Sequence, residues 1–268
     1  MKTIFAVLLF TVFFVACTAT RKTTDQQEAQ HPSLVLQSKL YASAFMQRAA
    51  EYHALCLQAF NIARWRLDEA LKQASSKPKA IIADIDETIL DNSADEVHRD
   101  LLGKSFNPQD WHKWTAMAAA DTIPGAFQFL KYAASKNVEI FYITNRDEVD
   151  RAGTLQNLQH FGFPNSDNAH LLVRQNTSGK ETRRQQVMAD HEVVLLLGDN
   201  LSDFSMLFDK KSVEERLQAT KELTNEFGNR FIVLPNPIYG DWETALYQYK
   251  QLSLAQKDSA IKSWLKSY

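Results

Sequence analysis

Ala80-Ile81-Ile82-Ala83-Asp84-Ile85-Asp86-Glu87-Thr88 runs from apolar to acidic without a break. Four aliphatic residues in a row, with no polar alternation, read as a strand covered on both faces. Asp84 and Asp86 then leave the strand at its carboxyl end. Ser75-Ser76-Lys77-Pro78 precedes the strand and breaks what comes before it. Upstream, from Leu34 to about Ala74, apolar residues recur at helical spacing, which predicts one long helix or two.

Downstream the pattern repeats. The region from Asp91 to about Pro108 reads as charged and irregular. Helices are predicted from Trp111 to Ala120 and from Pro124 to Ser135, with Pro124 in the first turn of the second. Val138 to Ile143 is a second apolar strand, ending at Thr144-Asn145-Arg146. A helix from about Glu148 to Phe161 follows, closed by Gly162. Leu171-Leu172-Val173 is a third strand, and Lys180 to Ala189 a helix. Val193 to Leu197 is a fourth strand, ending at Gly198-Asp199. Helix is predicted on to about Phe227, then a strand over Phe231 to Leu234 and helices to the C-terminus. Buried strands alternating with helices predict an α/β fold, with a parallel sheet between helical layers. In such a sheet the ligand lies beyond the carboxyl ends of the strands. Asp84, Asp86, Thr144, Asp199 and Asp203 all follow such ends, and Lys180 opens the helix before the fourth strand.

Phosphoryl transfer gives these residue types a common purpose. A carboxylate attacks a phosphate monoester only where positive charge offsets the repulsion between anions. Mg²⁺ suits a site of a few carboxylate oxygens completed by water and phosphate, and Asp84 and Asp199 can supply the carboxylates. Lys180 and the Thr144 hydroxyl can hold phosphate oxygens. Asp86, two residues past the nucleophile, can protonate the leaving oxygen and later take a proton from water.

Taken together, Asp84-Ile85-Asp86-Glu87-Thr88, Thr144-Asn145-Arg146, Lys180 and Gly198-Asp199-Asn200-Leu201-Ser202-Asp203 resemble the four motifs of the haloacid dehalogenase superfamily, in order. The run Ile85 to Asn92 narrows the resemblance to the class C nonspecific acid phosphatases, the bacterial lipoprotein acid phosphatase and 5′-nucleotidase group. That resemblance implies a Rossmann-like three-layer core with a largely helical cap from about 33–75 and 92–136. It implies phosphorylation of Asp84, phosphate binding by Thr144, Asn145 and Lys180, and Mg²⁺ held by Asp84, Asp199 and the backbone carbonyl of Asp86. Asp203 would support the metal shell and Lys180. Trp111 and Tyr239, matched by spacing from the first and fourth motifs, would stack on the leaving group. Asn92 and Arg146 are expected at the rim of the site.

The N-terminus carries a separate message. Lys2 precedes a short apolar run from Ile4 to Ala16, the pattern of a secretory signal peptide and too short for a comfortable membrane span. Val15-Ala16-Cys17 resembles a bacterial lipobox, which implies lipidation of Cys17 (residues 1–17 as leader). An ordinary signal peptide with a chance cysteine is the other reading. Thr18 in place of an aspartate favours outer-membrane sorting in that class. Residues 18–32 are polar and read as a tether to the domain at 33–268.

Bulk properties narrow the partners. The chain has 268 residues, 45% of them hydrophobic, and a net charge of −2. That is enough to bury a core, and no basic surface points to a nucleic-acid polymer. A small phosphomonoester must be held by a local site. A homodimer is compatible with the resemblance. There are two cysteines; with Cys17 acylated, Cys56 has no partner and reads as a packed small hydrophobe. Competing motifs are incomplete. Ser178-Gly179-Lys180-Glu181 is like the end of a P-loop, but Arg174 stands where its first glycine belongs. No His-Glu-x-x-His or Arg-His-Gly motif occurs. The alternative function is a surface lipoprotein that binds a ligand or host molecule without turnover, although a pure binder has no need of Asp86.

Overall fold

The computed structural model describes residues 33–268, so the predicted leader, Cys17 and the tether lie outside the described residues. Helices α1 (Leu34–Arg48) and α2 (Ala50–Leu71) come first, separated where Ala49 turns extended (ψ 126°). Strand β1 (Lys79–Ala83) leads into the acidic loop and the short strand β2 (Leu90–Asp91). Helices α3 (Ser93–Leu101) and α4 (Pro108–Met117), strand β3 (Asp121–Thr122) and helix α5 (Ala126–Ser135) follow. Then come β4 (Glu139–Ile143), α6 (Arg151–Phe161), β5 (Leu171–Leu172), α7 (Glu181–Asp190) and β6 (Glu192–Gly198). Helix α8 (Val213–Glu222), β7 (Phe231–Val233), α9 (Asp241–Leu246) and α10 (Leu254–Trp264) complete the chain.

Five strands form one parallel sheet in the order β5-β4-β1-β6-β7, and β2 pairs with β3 as a separate antiparallel ribbon. In β1 alternate residues serve two cores. Ile81 and Ala83 join Cys56, Phe60, Ala63 and Leu67 of α2. Ala80 and Ile82 face Val187 of α7 and Phe204. This two-sided burial is why the strand reads as an unbroken apolar run. Cys56 is fully buried, and burial pushes its thiol up to about 11, as befits an inert packed side chain.

Several expectations need correction. The segments assigned to a cap include α2 and α5, but both pack on the sheet: Phe129, Leu130 and Ala133 of α5 share the core with α2. Helix α5 begins after Pro124, which sits in the preceding turn. The stretch after Asp203 is not one helix. It forms two short 3-10 turns, Leu201–Asp203 and Met206–Phe208, before Ser212 caps α8. Ser205 accepts a hydrogen bond from the Leu207 N–H and so stops the chain from winding on.

The supposedly irregular region contains α3, whose charged residues are buried. Arg99 pairs with Asp95 at 2.9 Å and Glu96 at 2.5 Å, and Lys39 of α1 lies 3.5 Å from Glu96. Asp100 is left out of this network, with both carboxylate oxygens buried and unpartnered. Burial first, and Glu96 second, push its carboxyl up to about 6. A carboxyl raised in the folded state is a burden on the fold only while charged. The penalty is absent below roughly pH 4, grows towards pH 6 and is constant above it. Asp100→Asn is therefore expected to gain about 1–3 kcal/mol at pH 7.5 and nothing at pH 4, read by urea unfolding at both values.

Helix α4 is fixed to α6 by a close crossing. A Cβ on Gly153 would lie 2.2 Å from the Thr115 carbonyl oxygen, so only glycine admits this approach. Asp150 sits at the crossing, accepting from the Thr115 hydroxyl at 2.6 Å and lying 2.8 Å from His112 Nδ1. The nearby Asp147 carboxylate instead accepts from Arg174 at 2.8 Å.

Candidate active site

The register of the sheet brings the motif residues to one edge. Ala83 pairs with Tyr142 of β4 and with Leu197 of β6, and the Asp84 N–H donates to the Leu197 carbonyl at 2.9 Å. Asp84, Thr144 and Asp199 thus leave three neighbouring strands at nearly the same level. At the end of β6, a Cβ on Gly198 would lie 2.5 Å from the Asp203 Cβ. The bare glycine lets the 3-10 turn fold back so that Asp203 joins the edge.

Asp84, Asp199 and Asp203 each offer a carboxylate oxygen, all within 4.8 Å of one another. Lys180, buried at the start of α7, contacts Asp84 and lies 2.6 Å from Asp203. Thr88 bridges Asp84 and Asp199 with its hydroxyl, at 3.2 and 3.3 Å. Asn236, just past β7, donates to Asp199 at 2.7 Å. Burial pushes Asp84 up to about 7; Lys180 works against this, and Asp203 and Asp86 add to it. Burial, then Asp203 and Asp84, hold Asp199 well above the usual carboxylate range. Burial also works against the Lys180 ammonium, but Asp203 and Asp84 outweigh it and keep it above its ordinary value. Three carboxylates against one ammonium leave a deficit of positive charge. That imbalance, in an all-oxygen donor set, fits a hard divalent cation.

Asp86 points elsewhere. Its carboxylate is gripped by Arg146 and Asn92, and the Thr144 hydroxyl donates to it at 3.3 Å. Arg146 and Asn92, expected at the rim, are buried. Asn145 is exposed, and its side-chain oxygen accepts from Arg183 at 2.9 Å. Arg183 also donates to the Thr144 carbonyl at 2.5 Å, locking the end of β4 to α7.

One cavity of about 450 Å³ is bordered by Asp84, Asp86, Asn145, Lys180, Asp199 and Asp203 together with Trp111 and Tyr239. Among the described residues predicted for the site, Thr144 and Asn92 are absent from its wall; both are buried and reach the site through Asp86. Phe106, 6.2 Å from Trp111, extends the aromatic side. Lys39, Glu96, Arg99 and Glu243 line the same cavity. Sequence reasoning missed Thr88, Arg183, Asn236, Phe106 and this charged group. Thr88 lies inside the first acidic motif and Asn236 just past a strand end, so position alone could have flagged both.

A family model described as HAD superfamily, subfamily IIIB (Acid phosphatase) matches residues 3–242. The chain belongs to that family. Two solved structures agree with this assignment. One is the class C acid phosphatase from Bacillus anthracis, 42% identical, with a TM-score of 0.84, covering 87% of this chain and 99% of that one. The other is that class C acid phosphatase with tungstate bound, at the same identity and TM-score, covering 88% and 99%. As a subfamily IIIB acid phosphatase the chain is a phosphomonoesterase on a haloacid dehalogenase fold, and the reading as a binder without turnover is set aside. A divalent metal is general in haloacid dehalogenase phosphatases, and the acidic cluster provides for one.

Proposed function

We propose that this acid phosphatase hydrolyses nucleoside 5′-monophosphates in two steps, with Asp84 as nucleophile, Asp86 as acid and base, and Mg²⁺ as cofactor. The observation that carries the reading is the meeting of Asp84, Asp199, Asp203 and Lys180 in a cavity whose wall holds three aromatic residues, Trp111, Tyr239 and Phe106. Asp84 and Asp199, with the Asp86 carbonyl, would hold Mg²⁺, and Asp203 would steady Lys180 beside it. When bound, the ion would supply the positive charge that lets a carboxylate meet a phosphate dianion. Tungstate, bound in the Bacillus anthracis relative, is a tetrahedral oxyanion of the kind such a site would accept.

Each side chain then has a task. Lys180 offsets charge on the nucleophile and on a transferring phosphoryl oxygen. Thr88 orients Asp84 and Asp199 from below. Arg183 fixes the backbone at Thr144 and the side chain of Asn145, whose amide group would donate to phosphate. Asp86 gives its proton to the leaving oxygen and afterwards takes one from the attacking water. Trp111 and Tyr239 stack on the departing base.

The test is phosphate release by metal-stripped protein from nucleoside monophosphates and small alkyl phosphates, before and after Mg²⁺ is returned. Activity on both substrates is expected to return with Mg²⁺. Trp111→Ala and Tyr239→Ala are expected to cost about 1–3 kcal/mol of binding on the nucleotide and little on the alkyl ester. Equal losses on the two substrates would exclude stacking. For the residues outside the described region, we propose that Cys17 carries lipid and anchors the enzyme at the outer membrane. Several buried acyl chains hold firmly at about 0.8 kcal/mol per CH₂.

A further inference from the structure

Arg146 is 2% exposed, and its guanidinium donates to three neighbours at once. Nε and Nη2 reach Asp86 Oδ1 at 3.0 and 2.8 Å, Nη1 reaches the Thr154 hydroxyl at 3.0 Å, and Nη2 also reaches Asn92 Oδ1 at 3.3 Å. The Asn92 side-chain amide adds a third bond to Asp86 Oδ1 at 2.9 Å. Among the described residues, Asp86 Oδ2 has two long contacts, Arg146 Nε and the Thr144 hydroxyl, both at 3.3 Å. The two carboxylate oxygens are therefore unequal: Oδ1 is saturated and Oδ2 is nearly free.

We propose that Arg146 is the positioning residue of the proton shuttle, anchoring Asp86 through Oδ1 so that Oδ2 alone faces the leaving group. The proposal rests on the acid and base role assigned to Asp86 above. In the first step the bond from Asp84 to phosphorus forms as the phosphorus–oxygen bond to the leaving group breaks. The proton on Asp86 Oδ2 passes to that oxygen, leaving Asp86 as a carboxylate. In the second step water attacks phosphorus, returns a proton to Oδ2, and releases phosphate and the Asp84 carboxylate. Both transfers use one oxygen at hydrogen-bond distance from the reacting centre, and a displacement of 1 Å costs about 10²-fold.

The anchor is itself held from several sides. Thr154 fixes the guanidinium from α6. Asn92 is fixed by Glu87, which accepts from its backbone N–H at 2.8 Å, and by the Trp114 indole, which donates to it at 2.8 Å. The Arg146 guanidinium also lies 5.5 Å from the centre of the Trp111 ring, within cation–π range. The wall proposed to hold the leaving group thus packs on the group that aims the acid.

Leaving-group acidity separates this role from a structural or phosphate-binding one, because a poor alkoxide needs the proton and p-nitrophenolate does not. The experiment compares kcat/KM for p-nitrophenyl phosphate and a simple alkyl phosphate in Arg146→Lys, Asn92→Ala and Asp86→Asn, with inhibition by inorganic phosphate alongside. Arg146→Lys keeps the charge but loses the fork. It is expected to lose about 10²-fold on the alkyl ester, far less on p-nitrophenyl phosphate, and to keep its inhibition by phosphate. Asn92→Ala should show the same bias more weakly, and it carries the test if Arg146→Lys does not fold. Equal losses on both esters, while Asp86→Asn discriminates between them, would overturn the anchoring role. If Asp86→Asn itself shows no bias, the acid assignment falls and the proposal falls with it.

Discussion

Asp84→Asn is expected to abolish phosphate release, with kcat falling by about 10⁴–10⁶-fold, as when one member of a catalytic set that acts as a unit is removed. The amide is nearly isosteric, so the fold should survive. The substituted side chain keeps one acceptor oxygen, for Thr88 or for Lys180 but not for both, and an amide cannot form an acyl phosphate. Asp84 starts buried with its carboxyl pushed up to about 7 by that burial, so losing its charge does not unbalance the site. The variant should therefore be at least as stable as the parent in the absence of metal. The check is phosphate release together with acid-quench labelling: parent protein mixed with labelled substrate should retain phosphate on the peptide containing residue 84, and the variant should retain none. Retained turnover in Asp84→Asn would reject the nucleophile assignment.

Lys180→Met carries the second large effect, and it falls on stability as well as turnover. Lys180 meets Asp84 and Asp203 with almost no solvent between them. Removing one partner of a buried ion pair leaves uncompensated charge and typically costs about 3–5 kcal/mol. That cost is expected in chelator at pH 8. It should shrink as pH falls through 7, because carboxyls raised in the folded state then take up protons and relieve the repulsion. Mg²⁺ should restore most of the stability and little of the activity, since it can neutralise the carboxylates but cannot replace the ammonium on the phosphoryl oxygens. Thermal melts at pH 6 and pH 8, each with chelator and with Mg²⁺, give the four readings. A variant destabilised equally in all four would show that Lys180 matters for packing rather than for charge.

Local pattern reports some of this fold and is silent on the rest. The runs at residues 80–83, 138–143 and 193–197 read as strands because a parallel strand buries both faces and so loses its polar alternation. The acids and the threonine that follow them converge because parallel strands all end at one edge. Helix α3 escaped that logic. A run such as Asp95-Glu96-Val97-His98-Arg99-Asp100 looks solvated, yet its charges are buried against one another and against Lys39 from another helix. The extent of the cap was misjudged for a related reason. An amphipathic stripe on α2 or α5 announces that one face is buried without saying against what.

Sequence by itself determined which residues gather at the carboxyl edge of the sheet. Asp84, Asp86, Thr144, Lys180, Asp199 and Asp203 stand at strand and helix ends, and chain direction alone sends those ends to a common edge. Only the tertiary structure decided which partners each acid meets. Asp84, Asp199 and Asp203 share Lys180 and a place for a cation, while Asp86 turns to an arginine 60 residues away in the chain and to Asn92. Both aspartates of the first motif have the same chemistry and nearly the same neighbours in sequence. What separates them is which oppositely charged group the crossing of distant segments brings within hydrogen-bond reach, and no local periodicity carries that information.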